Sequence, residues 1–118
     1  MQAHHLIPAN VWGAFAGITP LAHEAGWQPE TADNLIGLPA NEATQEKLAA
    51  GGLILPMHST SHSNYDGRTV GEIIEAVMKT TSDSKLTLTP PQALAIYKNV
   101  EMEMRKRIMA REWWPRLY

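Results

Sequence analysis

The chain contains no cysteine, which excludes disulfides, thiolate zinc sites and a cysteine nucleophile together and leaves the redox compartment open. Any metal must then be held by imidazole or carboxylate. No apolar run approaches the roughly 18 residues that cross a bilayer, and no basic start precedes a hydrophobic stretch of the secretory kind. A soluble chain without a membrane segment is therefore expected. A formal net charge of -2 over 118 residues argues against strong nonspecific binding to nucleic acid by the chain as a whole. The distribution is uneven: residues 1–56 carry five acids and one base, a balance of -4, and residues 57–118 carry nine bases and seven acids, a balance of +2. The basic excess collects at Lys98, Arg105, Lys106, Arg107, Arg111 and Arg116, as either a phosphate-facing helix end or a solvated face. There is no internal repeat. The polar stretch Thr80-Thr81-Ser82-Asp83-Ser84 is too short to divide domains, so a single domain over 1–118 is expected, within the usual size of about 100–150 residues.

Histidine is what the chain does have. Four of its five histidines fall in two tight pairs: His4 and His5 in Ala3-His4-His5-Leu6-Ile7-Pro8, and His58 and His62 in Met57-His58-Ser59-Thr60-Ser61-His62. Imidazole is the commonest protein ligand for transition metals and titrates near neutral pH, so such pairs suit metal-assisted acid/base chemistry. On a helix, His58 and His62 would project from one face a turn apart, close enough to share an ion. Surface or capping roles are the alternative for an isolated pair. On a strand, adjacent His4 and His5 would point to opposite faces, one able to ligate and the other free to act as a base.

The remaining pattern is mainly helical. Asn10 is expected to cap a short helix through Val11, Trp12 and Phe15, and Thr19-Pro20 to open a second that ends near Gly26. Asp33-Asn34-Leu35-Ile36-Gly37-Leu38-Pro39 reads as a short strand or extended loop, the second arm of a small hairpin. Asn41 to Ala50 forms a helix stopped by Gly51-Gly52, and Leu53-Ile54-Leu55-Pro56 leads extended, buried chain into the second histidine pair. Val70, Ile73, Ile74, Val77 and Met78 make one apolar stripe of a helix over about Thr69–Thr80. Thr89-Pro90 opens a last helix to about Glu112, with Ile96, Val100, Met104 and Ile108 every fourth residue and methionines as core filler.

Ala-His-His-Leu-Ile-Pro, then Asp-Asn-Leu-Ile-Gly-Leu-Pro, then His-Ser-Thr-Ser-His-Ser-Asn-Tyr, in this order, resembles the AHH nucleases of the HNH/endonuclease VII superfamily. The matching core spans residues 3 to about 78. The resemblance implies an α+β, mainly helical fold around a ββα-metal core with a short hairpin, a metal-binding helix and flanking helices. It implies His4, His58 and His62 as ligands of one divalent metal, His5 as the general base, and Asn34 as the residue that holds the hairpin loop and helps to orient that base. A turn asparagine bonded to local backbone is the plainer account of Asn34. The resemblance further implies a toxin domain from the C-terminal part of a longer secreted bacterial effector, acting in the cytoplasm of a competing cell, cutting DNA in preference to RNA, and neutralised by a cognate immunity protein.

Such chemistry needs a cation to neutralise charge on the phosphoryl group and leaving oxygen, and a base to deprotonate water. Three imidazoles favour zinc, nickel, cobalt or manganese over magnesium, although the resemblance keeps magnesium open. Tyr65 and Arg68 follow His62 closely enough to touch the scissile phosphate, with packing and surface roles as the alternatives. His23 is read as outside the chemistry, and Trp113-Trp114 as core, with base stacking or an immunity contact as minority options. A noncatalytic module built on structural zinc, an RNase on the same site, and a histidine-rich domain without metal are the competing readings.

Overall fold

In the computed structural model, which describes residues 1–59, 61–81 and 87–118, the fold is α+β and mainly helical. Strand β1 (Gln2–His5) pairs antiparallel with β2 (Leu35–Leu38), with His4 opposite Ile36 and His5 opposite Leu35. Between these arms lie α1 (Ala9–Ala14), α2 (Thr19–Glu24) and a single 3-10 turn (Ala32–Asn34), so helices rather than a tight turn join the strands. α3 (Glu42–Ala50), α4 (Ser63–Thr80) and α5 (Pro90–Met109) follow. Of the polar stretch Thr80–Ser84, residues 82–84 lie outside the described residues.

Local chemistry accounts for most boundaries. Asn41 caps α3 by accepting from the Thr44 amide at 2.9 Å. Thr89 caps α5 in a full capping box with Gln92, and prolines stand in its first turn, where a missing N–H costs nothing. Gly26 and Gly52 stand at φ of 106° and 91°, left-handed conformations that let the chain reverse after α2 and α3. Asn10 departs from expectation. Pro8 occupies the cap of α1, and the Asn10 amide instead donates to Asp66 Oδ2 at 2.7 Å.

α5 is the spine, burying Ala93, Ile96, Tyr97, Val100, Met104 and Ile108 against α2 and α4. Thr19 on α2 donates to the Trp12 carbonyl and bonds the Tyr97 hydroxyl at 2.6 Å, while Trp27 donates Nε1 to the buried Glu101 carboxylate. Thr19, Tyr97 and the indole of Trp27 thereby find partners inside the core, as burial demands.

Several sequence expectations are corrected here. α4 begins at Ser63 rather than Thr69, because its first turns carry Ser63, Asn64, Asp66 and Gly67 and give no apolar signal. Its buried line is Tyr65, Thr69 and Ile73, whereas Ile74 and Met78 are exposed, since neighbouring elements cover only one side of the helix. Met104 fills the core, but Met102 and Met109 face solvent. α5 ends at Met109, short of Glu112. Trp113 is buried and Trp114 is exposed; Leu55 is buried and Leu53 is not. The basic residues of α5 also divide. Lys98 pairs with Asp33, Arg105 donates to the carbonyls of Ala32 and Leu35, and Arg107 pairs with Glu72, Glu103 and Glu112. Each of these three cations has a partner within the fold.

Candidate metal centre and active site

β1 delivers its two histidines to different surroundings, as strand alternation requires. His4 is buried, with the rings of His62 at 5.1 Å, His58 at 5.4 Å and Tyr65 at 4.7 Å. His5 is half-buried, lies edge-on to Trp12 at 5.5 Å and shares a 2.7 Å hydrogen bond with Glu30 through Nε2.

His58 and His62 do not share a helical face. His58 lies in extended chain before α4, and His62 is the N-cap residue of that helix. The irregular segment is fixed from both sides: the His58 amide donates to Pro39 O just past β2, and Met57 is tied to Pro115 and Leu117 in the C-terminal tail. Gln45 adds donors to the carbonyls of Leu55 and Pro115. Backbone pairing therefore does here what helical spacing was expected to do.

One nitrogen from each of His4, His58 and His62 falls within 4.8 Å of the others. The hydrogen bonds identify which nitrogens are free. His58 Nδ1 bonds Gln2 Oε1 at 2.8 Å and His62 Nδ1 bonds Asp66 Oδ1 at 2.8 Å, leaving Nε2 of each. His4 Nε2 is buried without a hydrogen-bond partner. An unpartnered buried imidazole nitrogen is costly unless something binds it, and two further free imidazole nitrogens beside it make a ligand set suited to a divalent metal. Burial, with the neighbouring His62, His58 and His5 adding to it, lowers the His4 pKa to about 3, and burial with His62 and His5 lowers that of His58. Both are thereby held neutral, the form that ligates.

A profile of the AHH nucleases, described as a nuclease family of the HNH/ENDO VII superfamily with conserved AHH, matches residues 1–99. The chain belongs to the AHH nuclease family. No curated protein and no solved structure matches it. Nucleases of this superfamily use a metal, and in this AHH nuclease the first histidine of the AHH pair, His4, forms with His58 and His62 one cluster able to hold an ion.

The other candidates separate clearly. Asn34 is fully buried; its Oδ1 accepts from the Ile7 amide at 2.8 Å and its Nδ2 donates to the carbonyls of Ile7 and Pro29. It stitches the chain just past His5 to the loop that leads into β2. Tyr65 does not line an open cleft: it is buried against His4, His62 and Trp113, and its hydroxyl donates to Leu6 O at 2.7 Å. Burial accordingly raises its pKa. Arg68 is exposed but stands two residues beyond Asp66, nearly across the helix from it. It lines a groove of about 550 Å³ with Ser63, Asn64, Gly67, Gly71 and Glu72. The cavity beside His62, about 410 Å³, is lined by Pro8, Ala9, Asn10, Ser61, His62, Ser63 and Asp66 and shares only Ser63 with that groove. His23 lies outside the cluster, edge-on to Trp27. Gln2, Asn10, Glu30 and Asp66 were missed in the sequence, where single polar residues carry no periodic signal. Asp66, four residues after His62, had the one readable cue.

Proposed function

We propose that this AHH nuclease is a metal-dependent endonuclease that hydrolyses phosphodiester bonds of DNA, with His5 as general base and one divalent metal on His4, His58 and His62. The observation that carries the reading is the divergence of two adjacent histidines: His4, with a buried and unpartnered Nε2, clusters with two other imidazoles, and His5 is held apart by Glu30. A bound ion supplies a Lewis acid that stabilises charge developing on the phosphoryl group and leaving oxygen. Three imidazoles suit zinc, nickel, cobalt or manganese best. His5 removes a proton from the water that attacks phosphorus in line with the departing 3′ oxygen, giving 5′-phosphate and 3′-hydroxyl products. Asn34 fixes the loop on which this geometry depends.

The structural-zinc reading is disfavoured by ligand number. Structural zinc takes four protein ligands, whereas the cluster among the described residues offers three, which leaves a coordination position open. The resemblance of the three motifs to polymorphic-toxin nucleases supports a role as the toxin part of a longer secreted effector, acting in the cytoplasm of a competing bacterium and restrained by an immunity protein. The same resemblance favours DNA over RNA. The deciding experiment incubates the purified chain with DNA and with RNA, with added divalent ions or with chelator. Cleavage of DNA that chelator abolishes is expected; cleavage indifferent to chelator would overturn the metal mechanism, and cleavage of RNA alone would overturn the substrate.

A further inference from the structure

A base must present one particular nitrogen to its water, and the tautomer of a neutral imidazole is set by what the other nitrogen bonds. In His5 that partner is Glu30, whose Oε1 lies 2.7 Å from Nε2. A carboxylate only accepts, so the hydrogen of a neutral His5 belongs on Nε2 and the lone pair on Nδ1. We infer that Glu30 is the positioning residue of the reaction, holding His5 as the Nε2–H tautomer so that Nδ1 receives the proton from water.

The contact is supported by the backbone around it. The Asn34 side chain binds Ile7, two residues after His5, and also Pro29, the residue before Glu30. One buried amide group thus clamps together the two segments that carry the histidine and the carboxylate. The loop between is closed further by Thr31, whose hydroxyl donates to Gln28 O and whose carbonyl accepts from the Asn34 amide. Trp12 stands against the His5 ring and limits its rotation. When Nδ1 takes the proton, the hydroxide goes to phosphorus, the positive charge stays on the imidazolium, and Glu30 faces that charge without itself changing protonation.

The pair contributes little to folding, since Glu30 is mostly exposed and exposed ion pairs are weak, so its removal leaves the scaffold intact for testing. The inference rests on the reading of His5 as general base, and the test separates the two. Nitrogen-15 NMR of the histidine rings reads the His5 tautomer directly, with or without activity. The Nε2–H form is expected in the native chain and a mixture in Glu30→Ala. In cleavage assays Glu30→Ala is expected to lower kcat by about 10- to 100-fold, less than the roughly 100- to 10,000-fold contribution of a general base, with KM unchanged. Glu30→Gln, whose amide can accept from or donate to Nε2, is expected to recover part of that loss. In a His5→Ala background, Glu30→Ala should cost nothing more. Zinc binding by His4, His58 and His62 should be the same in all variants. An unaltered tautomer or an unaltered kcat in Glu30→Ala overturns the inference, as does a full further loss in the His5→Ala background. Undiminished cleavage by His5→Ala alone overturns the base assignment instead.

Discussion

His62 and Asp66 bond through Nδ1 and Oδ1 at 2.8 Å, and Asp66 commits its other oxygen to Asn10 at 2.7 Å. The carboxylate fixes the ring and keeps Nε2 as the free nitrogen. Partners of this kind typically contribute 10- to 100-fold to metal affinity. Asp66→Ala is therefore expected to weaken zinc binding by about that factor, measured by competition with a chelating dye. Unchanged affinity would remove Asp66 from the site.

The depressed pKa of His4 sets a direction for acid sensitivity of the metal-free protein. The folded state holds His4 neutral down to about pH 3, whereas the unfolded chain protonates it near 6.5. The associated stability is fully present above 6.5 and is lost progressively as pH falls from there toward 3, with a ceiling on the order of 4–5 kcal/mol from the size of the shift. The lowered pKa of His58 acts in the same direction. Urea midpoints at pH 7.5 and 5.5 check this: the native chain should lose stability on acidification, and His4→Leu should lose less. Equal losses would show that His4 is not the titrating group.

Asn34→Ala strands the Ile7 amide in a buried position and releases Pro29. A loss of about 1–3 kcal/mol is expected from the unsatisfied donor, read as a lower unfolding midpoint. Nuclease activity should fall with it, because the clamp beside His5 opens. Full activity in a destabilised variant would confine Asn34 to the fold.

Tyr65 and Arg68 make a paired control. Tyr65→Phe deletes the bond to Leu6 O and is expected to cost about 1 kcal/mol with KM for nucleic acid unchanged. Arg68→Ala, on the far face of α4, is expected to leave both stability and KM near native. A raised KM in Arg68→Ala would show that substrate wraps around that helix.

The sequence carried this much because three short motifs each combine a chemical residue with a backbone signal. His4-His5 followed by Pro8 marked the strand end, Asp33–Pro39 its partner, and the histidine pair the approach to α4. Helix starts at Asn41 and Thr89 were legible because capping is local chemistry. The His58/His62 geometry was not, because spacing alone cannot distinguish a helical turn from an extended segment held by Pro39 and the C-terminal tail. Glu30 and Gln2 reach their histidines from a loop and from the strand's first residue, and nothing near them in sequence announces the contact. Ile74 and Met78 show the same limit in the core: periodicity gives an apolar stripe its width, and only the neighbouring elements decide which edge is covered.

The cluster joins two distant parts of the chain, β1 and the segment that enters α4. An ion held by His4, His58 and His62 closes a ring of polypeptide that runs through α1, α2, β2 and α3, acting as a removable crosslink. Closing a ring of that size removes several kcal/mol of freedom from the unfolded chain, about 4 by the loop-entropy relation. Capture of an ion by these three histidines would stabilise the folded domain by mass action, and its depletion would withdraw that contribution.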